Sequence, residues 1–341
     1  MSELRVGLNG FGRIGRAITR ILLQRRGHRL VHVNDINQDT ANLAYLLKYD
    51  TTYGRLSENV TGSEDTLTID DQRIRVTHHA DLSEVDWRDV DVVIEATGVS
   101  RNEQQAQSVA ARVGTVLVTH ACPSADFTLV FGATETQFDP KKHRVVSTSI
   151  CDAIAIAPVV KALREAFGIE CGFVTTLHPW LSYQNLMDGP ARSQAYPGNV
   201  YSHYPLGRAS IGALIPKPTT VVSACERILP EIAGKLRCMS YRVPTPCVSS
   251  ADMSLHLEAS ATEAQVLERL EALRASQGAR KVVRITDEPL VSVDYLGDDH
   301  SCIIDTRWLM LNGGRQLKVV LWYDNEWGYS SRVVDALDLL R

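Results

Sequence analysis

The chain has 341 residues, enough for two domains of ordinary size, and its net charge of −4 with an isoelectric point of about 6.2 provides no basic field for nucleic acid. No apolar run approaches the roughly 20 residues that a membrane helix needs, so neither nucleic acid nor a membrane is an expected partner. Seven cysteines, without a CxxC pair or a His-rich cluster, indicate free thiols in a reducing compartment and predict no metal site.

Met1–Arg5 lacks the apolar stretch of a signal peptide, so we expect a cytoplasmic protein.

Strands and helices alternate in the first third of the chain. Apolar periodicity predicts a strand at Leu4–Asn9, a helix at Arg16–Leu23 and a second strand at Leu30–Asn34. This order of elements is the one in which a glycine-rich turn can bind a dinucleotide.

A glycine motif lies between the first strand and the helix. Gly10 permits a tight turn, Gly12 lets backbone approach a pyrophosphate, and Gly15 lets the helix pack closely on the strand. Asp35 follows the second strand, where its carboxylate can accept from ribose hydroxyls and would repel the 2′-phosphate of NADP. The motif therefore predicts an NAD site formed by Gly10, Phe11, Gly12, Arg13, Ile14 and Asp35.

Further strands are predicted in the same sheet at Val90–Glu95 and Gly114–Val118, and a small antiparallel excursion at Val60–His78. Val90–Glu95 is followed by a small turn that contains Thr97 and Gly98. Ligands of open α/β sheets bind at the carboxyl ends of the strands, so we assign these two residues to the NAD site as well.

Cys151 and His178 are the predicted catalytic residues. Cys151 lies at the start of a predicted helix, and His178 follows a strand-like run. A helix N-terminus and an imidazole lower a thiol pKa from about 8.5 by several units, so a thiolate–imidazolium pair is expected. A thiol nucleophile in a chain that binds NAD suggests aldehyde oxidation through a thioester. Asp152 is expected only to cap the helix.

The rest of the chain mixes strands with separate helices, which predicts an α+β domain. Helices are predicted at Val159–Phe167, Thr262–Ala275 and Ser331–Leu340, and strands at Phe173–Leu177, Tyr241–Val248 and Lys318–Trp322. We predict a Rossmann-like α/β NAD-binding domain at 1–150, a catalytic domain with a mixed sheet at 151–322, and a C-terminal segment at 323–341 whose helix returns to the first domain.

Several longer stretches of the sequence, taken together, are specific for one protein family. They are NGFGRIGR at Asn9–Arg16, LLKYD at Leu46–Asp50, RVPT at Arg242–Thr245, WYDNEWGY at Trp322–Tyr329 and EPLVSVD at Glu288–Asp294. With them the chain resembles, nearly end to end, the phosphorylating glyceraldehyde-3-phosphate dehydrogenase family, which includes erythrose-4-phosphate dehydrogenases.

The resemblance implies a homotetramer, assembled through the catalytic domain, that oxidises a small phosphorylated aldehyde, first of all glyceraldehyde-3-phosphate. It implies Cys151 as the nucleophile and His178 as its base. It implies that Asn325 holds the nicotinamide amide, with Tyr329 also in the cofactor site. For the substrate it implies Arg242 as a contact of the phosphate, with Ser149 and Thr219 in the same site.

This chain departs from the family pattern around the cysteine. The family has Thr-Thr-Asn after the cysteine, where this chain has Asp152-Ala153-Ile154. The phosphate-binding threonine that the family places three residues after the histidine is Leu181 here. The Thr-Gly pair becomes Thr219-Thr220, and we expect Lys217, like Arg192, on a solvated face.

The loop at 179–207 is longer than the family norm and carries Tyr196, Tyr201, His203 and Tyr204. Three questions stay open at this point. The acyl acceptor is phosphate or water. The substrate could instead be erythrose-4-phosphate or another sugar aldehyde oxidised without phosphate. The chain could also be a retired enzyme that keeps the NAD site as a regulatory protein.

Overall fold

The computed structural model describes residues 3–25, 27–278 and 280–341, so Met1 and Ser2 of the N-terminal segment Met1–Arg5 lie outside it. Its helices are α1 (Arg13–Gln24), α2 (Thr40–Lys48), α3 (Ser100–Val113), α4 (Cys151–Phe167), α5 (Val221–Ile228), α6 (Glu263–Ala275) and α7 (Trp327–Leu337). Its strands are β1 (Leu4–Asn9), β2 (His28–Asn34), β3 (Tyr49–Asp50), β4 (Gly54–Arg55), β5 (Val60–Ser63), β6 (Thr66–Ile69), β7 (Gln72–Thr77), β8 (Val92–Glu95), β9 (Thr115–Val118), β10 (Phe127–Thr128), β11 (Val145–Ser147), β12 (Ile169–Pro179), β13 (Ile215–Lys217), β14 (Leu236–Val243), β15 (Ser249–Leu257), β16 (Val283–Thr286), β17 (Cys302–Asn312) and β18 (Gln316–Tyr323). Within these ranges no helix combines the length and the apolar character that a bilayer crossing requires.

The first unit contains the described residues up to Leu129, together with Phe138–Ser149 and Ser330–Arg341. Nine of its described strands form one sheet in the order β10-β11-β9-β8-β1-β2-β7-β6-β5, and β3 and β4 pair with each other separately. Neighbours from β10 to β7 are parallel, whereas β7, β6 and β5 pair antiparallel. The predicted Rossmann-like α/β domain and its antiparallel excursion are confirmed.

The centre of this sheet positions the glycine turn. β1 pairs in parallel with β2 on one side and with β8 on the other, so Asn9, Asn34 and Glu95 end their strands at one edge. After β1 the chain adds β2 on one side of it and later adds β8 on the other side. The direction in which strands are added therefore reverses at β1, so this edge of the sheet is the topological switch point. Open α/β sheets bind their ligands at such an edge.

The C-terminal helix returns to the first unit, as predicted. Arg25 pairs with the carboxylate of Asp335 at 2.5 Å, and His28 Nε2 lies 2.9 Å from the carboxylate of Asp338. These contacts join the end of the chain to the residue after α1 and to the first residue of β2.

The second unit contains Val130–Gln137 and Ile150–Tyr329. Its described strands form a mixed sheet in the order β13-β14-β12-β15-β18-β17-β16. The pairs β12–β14 and β16–β17 are parallel, and the other neighbours are antiparallel. α4, α5 and α6 pack against this sheet. The predicted α+β domain with a mixed sheet is therefore confirmed.

The predicted strand at Tyr241–Val248 is wrong in its second half. β14 ends at Val243 and β15 begins at Ser249, with Pro244 and Pro246 between them. Proline cannot donate to a strand ladder, so the chain turns here. Val248 completes the turn with a φ of 69°.

The predicted domain boundaries differ from the observed division in two places. Val130–Gln137 belongs to the second unit, because Lys161 of α4 donates to the Ala133 carbonyl at 2.8 Å. The start of the C-terminal segment also belongs to the second unit, since the Trp327 indole donates to the Asp299 carboxylate at 2.9 Å. Only the part from Ser330 onward joins the first unit.

Candidate active site

The glycine turn after β1 is shaped to receive a dinucleotide. Gly10 has a φ of 94°, which favours glycine, and a Cβ on Gly15 would collide with the carbonyl oxygen of Gly10. Gly12 is exposed, and a Cβ built on it would meet nothing within 4 Å. The space over Gly12 and the N-terminus of α1, which begins at Arg13 and continues through Ile14, fits a phosphate group.

Asp35 is placed beside this turn by the pairing of β1 with β2. Its Oδ2 accepts the Phe11 N–H at 2.6 Å and its Oδ1 accepts the Asn37 N–H at 2.9 Å. Each carboxylate oxygen keeps a second lone pair, so ribose hydroxyls can still donate to Asp35. Phe11 itself is buried, and Arg13 pairs with Asp50.

Thr97 and Gly98 follow β8 at the same edge of the sheet. The Thr97 N–H and hydroxyl donate to Glu95, which also accepts from Asn9, and Gly98 has a φ of 68°. Burial raises the pKa of Glu95 to about 7, although these hydrogen bonds act in the opposite direction. Sequence reasoning missed Glu95, whose role is to fix the turn that carries Thr97 and Gly98.

Gly12 and Gly15 provide a matched pair of substitutions. Gly12→Ala should fold normally and weaken NAD binding about tenfold or more, because its methyl group occupies the space for the pyrophosphate and overpacking costs about 1–3 kcal/mol. Gly15→Ala should instead lower the melting temperature, since its Cβ meets backbone. Calorimetric titration with NAD and thermal denaturation separate the two effects, and undiminished NAD affinity in Gly12→Ala would contradict the assignment.

Cys151 and His178 come together in the second unit. Cys151 is the first residue of α4, and His178 lies near the carboxyl end of β12. Their Sγ and Nε2 atoms are 3.7 Å apart. His178 Nδ1 donates to the Pro179 carbonyl at 2.9 Å, which leaves the Nε2 lone pair directed at the thiol. This is the arrangement of a nucleophile and its general base.

The expected thiolate–imidazolium pair is not what the surroundings favour. Burial raises the pKa of the Cys151 thiol well above its ordinary value, and the neighbouring Asp152 carboxylate adds to this. Burial and the Arg242 guanidinium lower the pKa of His178 to about 4. Both shifts favour the neutral thiol and the neutral imidazole before a substrate binds, and both come mainly from burial, which the sequence does not reveal.

Asp152 does not cap its helix. Its carboxylate lies beside the thiol, with Oδ1 3.8 Å from Cys151 Sγ, and Oδ1 accepts the hydroxyl of Tyr323 at 2.6 Å. Burial and the charge of Asp152 raise the pKa of Tyr323 well above its ordinary value, which keeps Tyr323 a donor. Sequence reasoning missed Tyr323, although it falls inside one of the recognised motifs.

These residues open onto one cavity of about 310 Å³, called here the Cys151 cavity. It is lined by Ile150, Cys151, Asp152, His178, Lys217, Pro218, Thr219, Thr220, Ser240 and Arg242. The pairing of β12, β14 and β13 brings several of these residues together. His178 lies opposite Arg242 on β14, and Lys217 of β13 lies opposite Ser240. The expectation that Lys217 lies on a solvated face is thus wrong, whereas Arg192 is exposed.

Positive charge dominates one wall of the Cys151 cavity. Arg242 is buried, its Nη2 donates to the Tyr183 hydroxyl at 3.3 Å, and its Nε has no hydrogen-bond partner among the described residues. Burial, with Arg242 nearby, lowers the pKa of Lys217 to about 8. Thr219 and Thr220 precede the N-terminus of α5 on the same wall. A buried guanidinium with a free donor favours an anionic ligand.

Three predicted site residues lie off this wall. Ser149 is buried, and its backbone has a φ of 60°. Its N–H donates to Ser147 Oγ at 3.0 Å. Ser149 does not line the Cys151 cavity, although the next residue, Ile150, does. Asn325 is buried between β18 and α7, where its side-chain oxygen is 3.6 Å from Cys247 Sγ. Tyr329 is buried within α7.

Comparison with known proteins gives one consistent result. Residues 4–103 match the family described as glyceraldehyde 3-phosphate dehydrogenase, NAD binding domain, and residues 150–325 match the glyceraldehyde 3-phosphate dehydrogenase C-terminal domain. Glyceraldehyde-3-phosphate dehydrogenase of Kitasatospora aureofaciens is 39% identical over 98% of each chain. Glyceraldehyde-3-phosphate dehydrogenase 2 of Streptomyces avermitilis is 38% identical over 97% of each chain. The glyceraldehyde-3-phosphate dehydrogenase of Geobacillus stearothermophilus is 38% identical over 97% of this chain and 96% of its own.

Proposed function

This chain belongs to the glyceraldehyde-3-phosphate dehydrogenase family, and from that premise we propose that it oxidises glyceraldehyde-3-phosphate with NAD through a thioester on Cys151. One observation carries the proposal. The Cys151–His178 pair opens onto the same cavity as Arg242, a buried guanidinium with a free Nε donor. A thiol nucleophile, its base and a phosphate contact are the groups that this substrate requires.

The first step is attack of Cys151 Sγ on the aldehyde carbon. The thiol is neutral beforehand, so His178 Nε2 takes its proton as the carbon–sulfur bond forms. The N–H of Cys151, at the first position of α4, is among those that a helix leaves without an intrahelical partner. It can therefore donate to the developing oxyanion, a contribution of about 3 kcal/mol per donor. His178 then gives this proton to the oxyanion, so the product is a hemithioacetal with a hydroxyl group, and Nε2 is again free to accept a proton.

The second step converts the hemithioacetal to a thioester. NAD is the cofactor, and when it is bound its nicotinamide ring supplies the hydride acceptor. The glycine turn Gly10–Ile14, with Asp35, Thr97 and Gly98, would hold the dinucleotide, and Asn325 with Tyr329 would hold the nicotinamide end. His178 Nε2 takes the hydroxyl proton of the hemithioacetal as its carbon is oxidised.

The substrate phosphate is held by the positive wall of the Cys151 cavity. Arg242 supplies a fork of donors, and Lys217 adds a second cation on the neighbouring strand. Thr219 lies just before α5, where helix N–H groups and hydroxyls favour a phosphate. Ser149 does not line the cavity. It contributes to the substrate site through its backbone, whose positive φ sets the direction in which the chain enters α4 at Cys151.

The thioester is then attacked by inorganic phosphate or by water. Asp152 bears on this choice, because its Oδ1 is only 3.8 Å from Cys151 Sγ. Two like charges about 5 Å apart repel by roughly 3 kcal/mol at an effective dielectric near 20. A phosphate anion is therefore repelled where neutral water is not, although Lys217, which lines the same cavity, offsets part of this repulsion.

Asp152→Thr should raise the phosphate-stimulated rate by about 10- to 100-fold, because it removes this repulsion. NADH formation with and without inorganic phosphate measures the effect, and Asp152→Asn, which removes the charge but keeps the shape, should behave similarly. The native protein should still form NADH when phosphate is omitted, with water as the acceptor. Strict phosphate dependence of the native protein would contradict the proposal.

The alternatives of the sequence analysis are not favoured. The relatives are named for glyceraldehyde-3-phosphate and not for erythrose-4-phosphate. A retired enzyme would have no reason to keep Cys151 beside His178. A panel of glyceraldehyde-3-phosphate, erythrose-4-phosphate and free glyceraldehyde, assayed for NADH, tests the proposal, and no NADH from the first of these would refute it.

We also propose that the protein is a cytoplasmic homotetramer. In the second unit, the long loop after β12 has its own small core of Ala191, Leu206 and Ile215, yet it also presents apolar side chains to solvent. Side chains more than half exposed there are Leu186, Met187, Tyr196, Val200 and Tyr204, with Val291 and Val293 beyond it. Large exposed apolar surfaces are typical of subunit contacts.

Multi-angle light scattering at micromolar concentration should give about four times the chain mass of 37.7 kDa. Met187→Asp with Tyr204→Asp should shift the assembly toward smaller species, because charge is depleted at the core of an interface. The exposed Asp188→Asn is the matched control and should keep the native mass. A native protein with the mass of a monomer would contradict the proposal.

A further inference from the structure

Three potential metal ligands meet beside the nucleophile. Cys151 Sγ is 3.7 Å from His178 Nε2 and 3.8 Å from Asp152 Oδ1, and a ligand atom from each of the three residues lies within 4.8 Å of the other two. Throughout the ranges that the structure describes, no other group of three Cys, His, Asp or Glu side chains meets this condition. The cluster arises because Asp152 follows Cys151 directly at the start of α4 and His178 lies near the end of β12.

The separations suit a tetrahedral cation. With Zn–S near 2.3 Å and Zn–N and Zn–O near 2.1 Å, tetrahedral angles place sulfur about 3.6 Å from each of the other two donors. The two observed separations from Cys151 Sγ, 3.7 and 3.8 Å, are within a few tenths of an ångström of this, and the donors of His178 and Asp152 lie within 4.8 Å of each other. Thiolate, imidazole and carboxylate together are a donor set that Zn²⁺ binds in proteins.

The surroundings orient each ligand. His178 Nδ1 donates to the Pro179 carbonyl at 2.9 Å, so the Nε2 lone pair is free for a metal. Asp152 Oδ1 accepts from Tyr323 at 2.6 Å. A hydrogen bond to the second ring nitrogen of a ligating His, or to a ligating carboxylate, is usual in metal sites, where it fixes the orientation of the ligand.

Charge is balanced once the metal is bound. Binding breaks the Cys151 S–H bond, forms a sulfur–metal bond and releases one proton to solvent. The thiolate and the Asp152 carboxylate then neutralise a divalent cation, so Lys217 and Arg242, which line the same cavity, meet a cluster without net charge. Three protein ligands leave a fourth position open toward the Cys151 cavity, where water can bind.

We propose that Cys151, Asp152 and His178 form a three-ligand site for a divalent cation of the Zn²⁺ type, and that the bound metal blocks the nucleophile. The site stands on the geometry of the three side chains alone. Only its consequence, reversible inhibition of the dehydrogenase, rests on the proposed function.

Cobalt substitution tests the site without substrate or NAD. Co²⁺ added to the full-length, chelator-treated protein should give the charge-transfer band of a thiolate ligand and the intense visible bands of four-coordinate cobalt. Cys151→Ser should lose the charge-transfer band. Zn²⁺ affinity, measured by competition with a chromophoric chelator, should fall in Asp152→Thr and Asp152→Asn by more than the 10- to 100-fold that loss of an outer-shell partner typically costs.

Cys171→Ser is the matched control. Cys171 is an exposed thiol that lies opposite His256 on β15, so it too has a histidine on the neighbouring strand. Its replacement should leave the cobalt spectrum unchanged. A spectrum that survives in Cys151→Ser, or an affinity that is unchanged in Asp152→Asn, would overturn the proposal.

Activity separates this proposal from the proposed function. Zn²⁺ should inhibit NADH formation by the native protein, a chelator should restore it, and Asp152→Thr should lose most of the sensitivity. A cobalt spectrum in a protein without dehydrogenase activity would refute the function and support the metal site. Dehydrogenase activity in a protein that binds no cobalt would support the function and refute the metal site.

Discussion

Cys151→Ser should lower kcat for glyceraldehyde-3-phosphate oxidation by about 10⁴-fold or more, the size of loss seen when a covalent nucleophile is removed. A serine hydroxyl is a far weaker acid than a thiol. His178 can therefore take the proton of a serine hydroxyl much less readily than that of the Cys151 thiol. The measurement is steady-state NADH formation in the presence of a chelator.

Cys171→Ser controls for the chemical change itself. Cys171 is an exposed thiol on β12, the strand that also carries His178, and it should keep the native rate. Circular dichroism and NAD binding should be native-like in both variants, since sulfur and oxygen differ little in size. A rate for Cys151→Ser close to that of the native protein would contradict the thioester route.

Arg242→Met should lower kcat/KM for glyceraldehyde-3-phosphate by about 10- to 150-fold, because hydrogen bonds to charged groups contribute about 1.5–3 kcal/mol. Most of the loss should appear in KM, since the phosphate is remote from the reacting carbon. Free glyceraldehyde has no phosphate, so its kcat/KM should change much less. The ratio of the two specificity constants is the quantity to measure.

Arg242→Lys separates charge from geometry. Lysine keeps the positive charge that acts on His178 and Cys151 but lacks the fork of donors. It should therefore recover part of the phosphate preference without altering the rate with free glyceraldehyde. An equal loss for both aldehydes in Arg242→Met would mean that Arg242 acts on the catalytic pair and not on the substrate phosphate.

The features that the sequence predicted best are local in the chain. The turn from Gly10 to Gly15 follows directly from a strand and a helix of clear periodicity, and the structure places it at the switch point of the sheet. Asp35 follows from the same reasoning, because the parallel pairing of β1 and β2 brings their ends together. Cys151 at the start of α4 was likewise evident from the sequence.

The properties that the sequence missed depend on distant contacts and burial. Tyr323 reaches Asp152 from the far end of the chain, and no periodicity signals that contact. Lys217 was assigned to solvent because a single lysine gives no sign of the strand opposite it. The pKa directions of Cys151 and His178 were misjudged since they depend on burial, which forms only when α4 and β12 meet.

Mass spectrometry of the acyl-enzyme tests the central claim most directly. Native protein is mixed with glyceraldehyde-3-phosphate and excess NAD, without inorganic phosphate, quenched in acid within the first turnover, and digested. We predict one 3-phosphoglyceroyl group on the peptide that contains Cys151, in an amount that matches the NADH formed. A burst of NADH with Cys151 unmodified, or with the acyl group on another cysteine, would contradict the account.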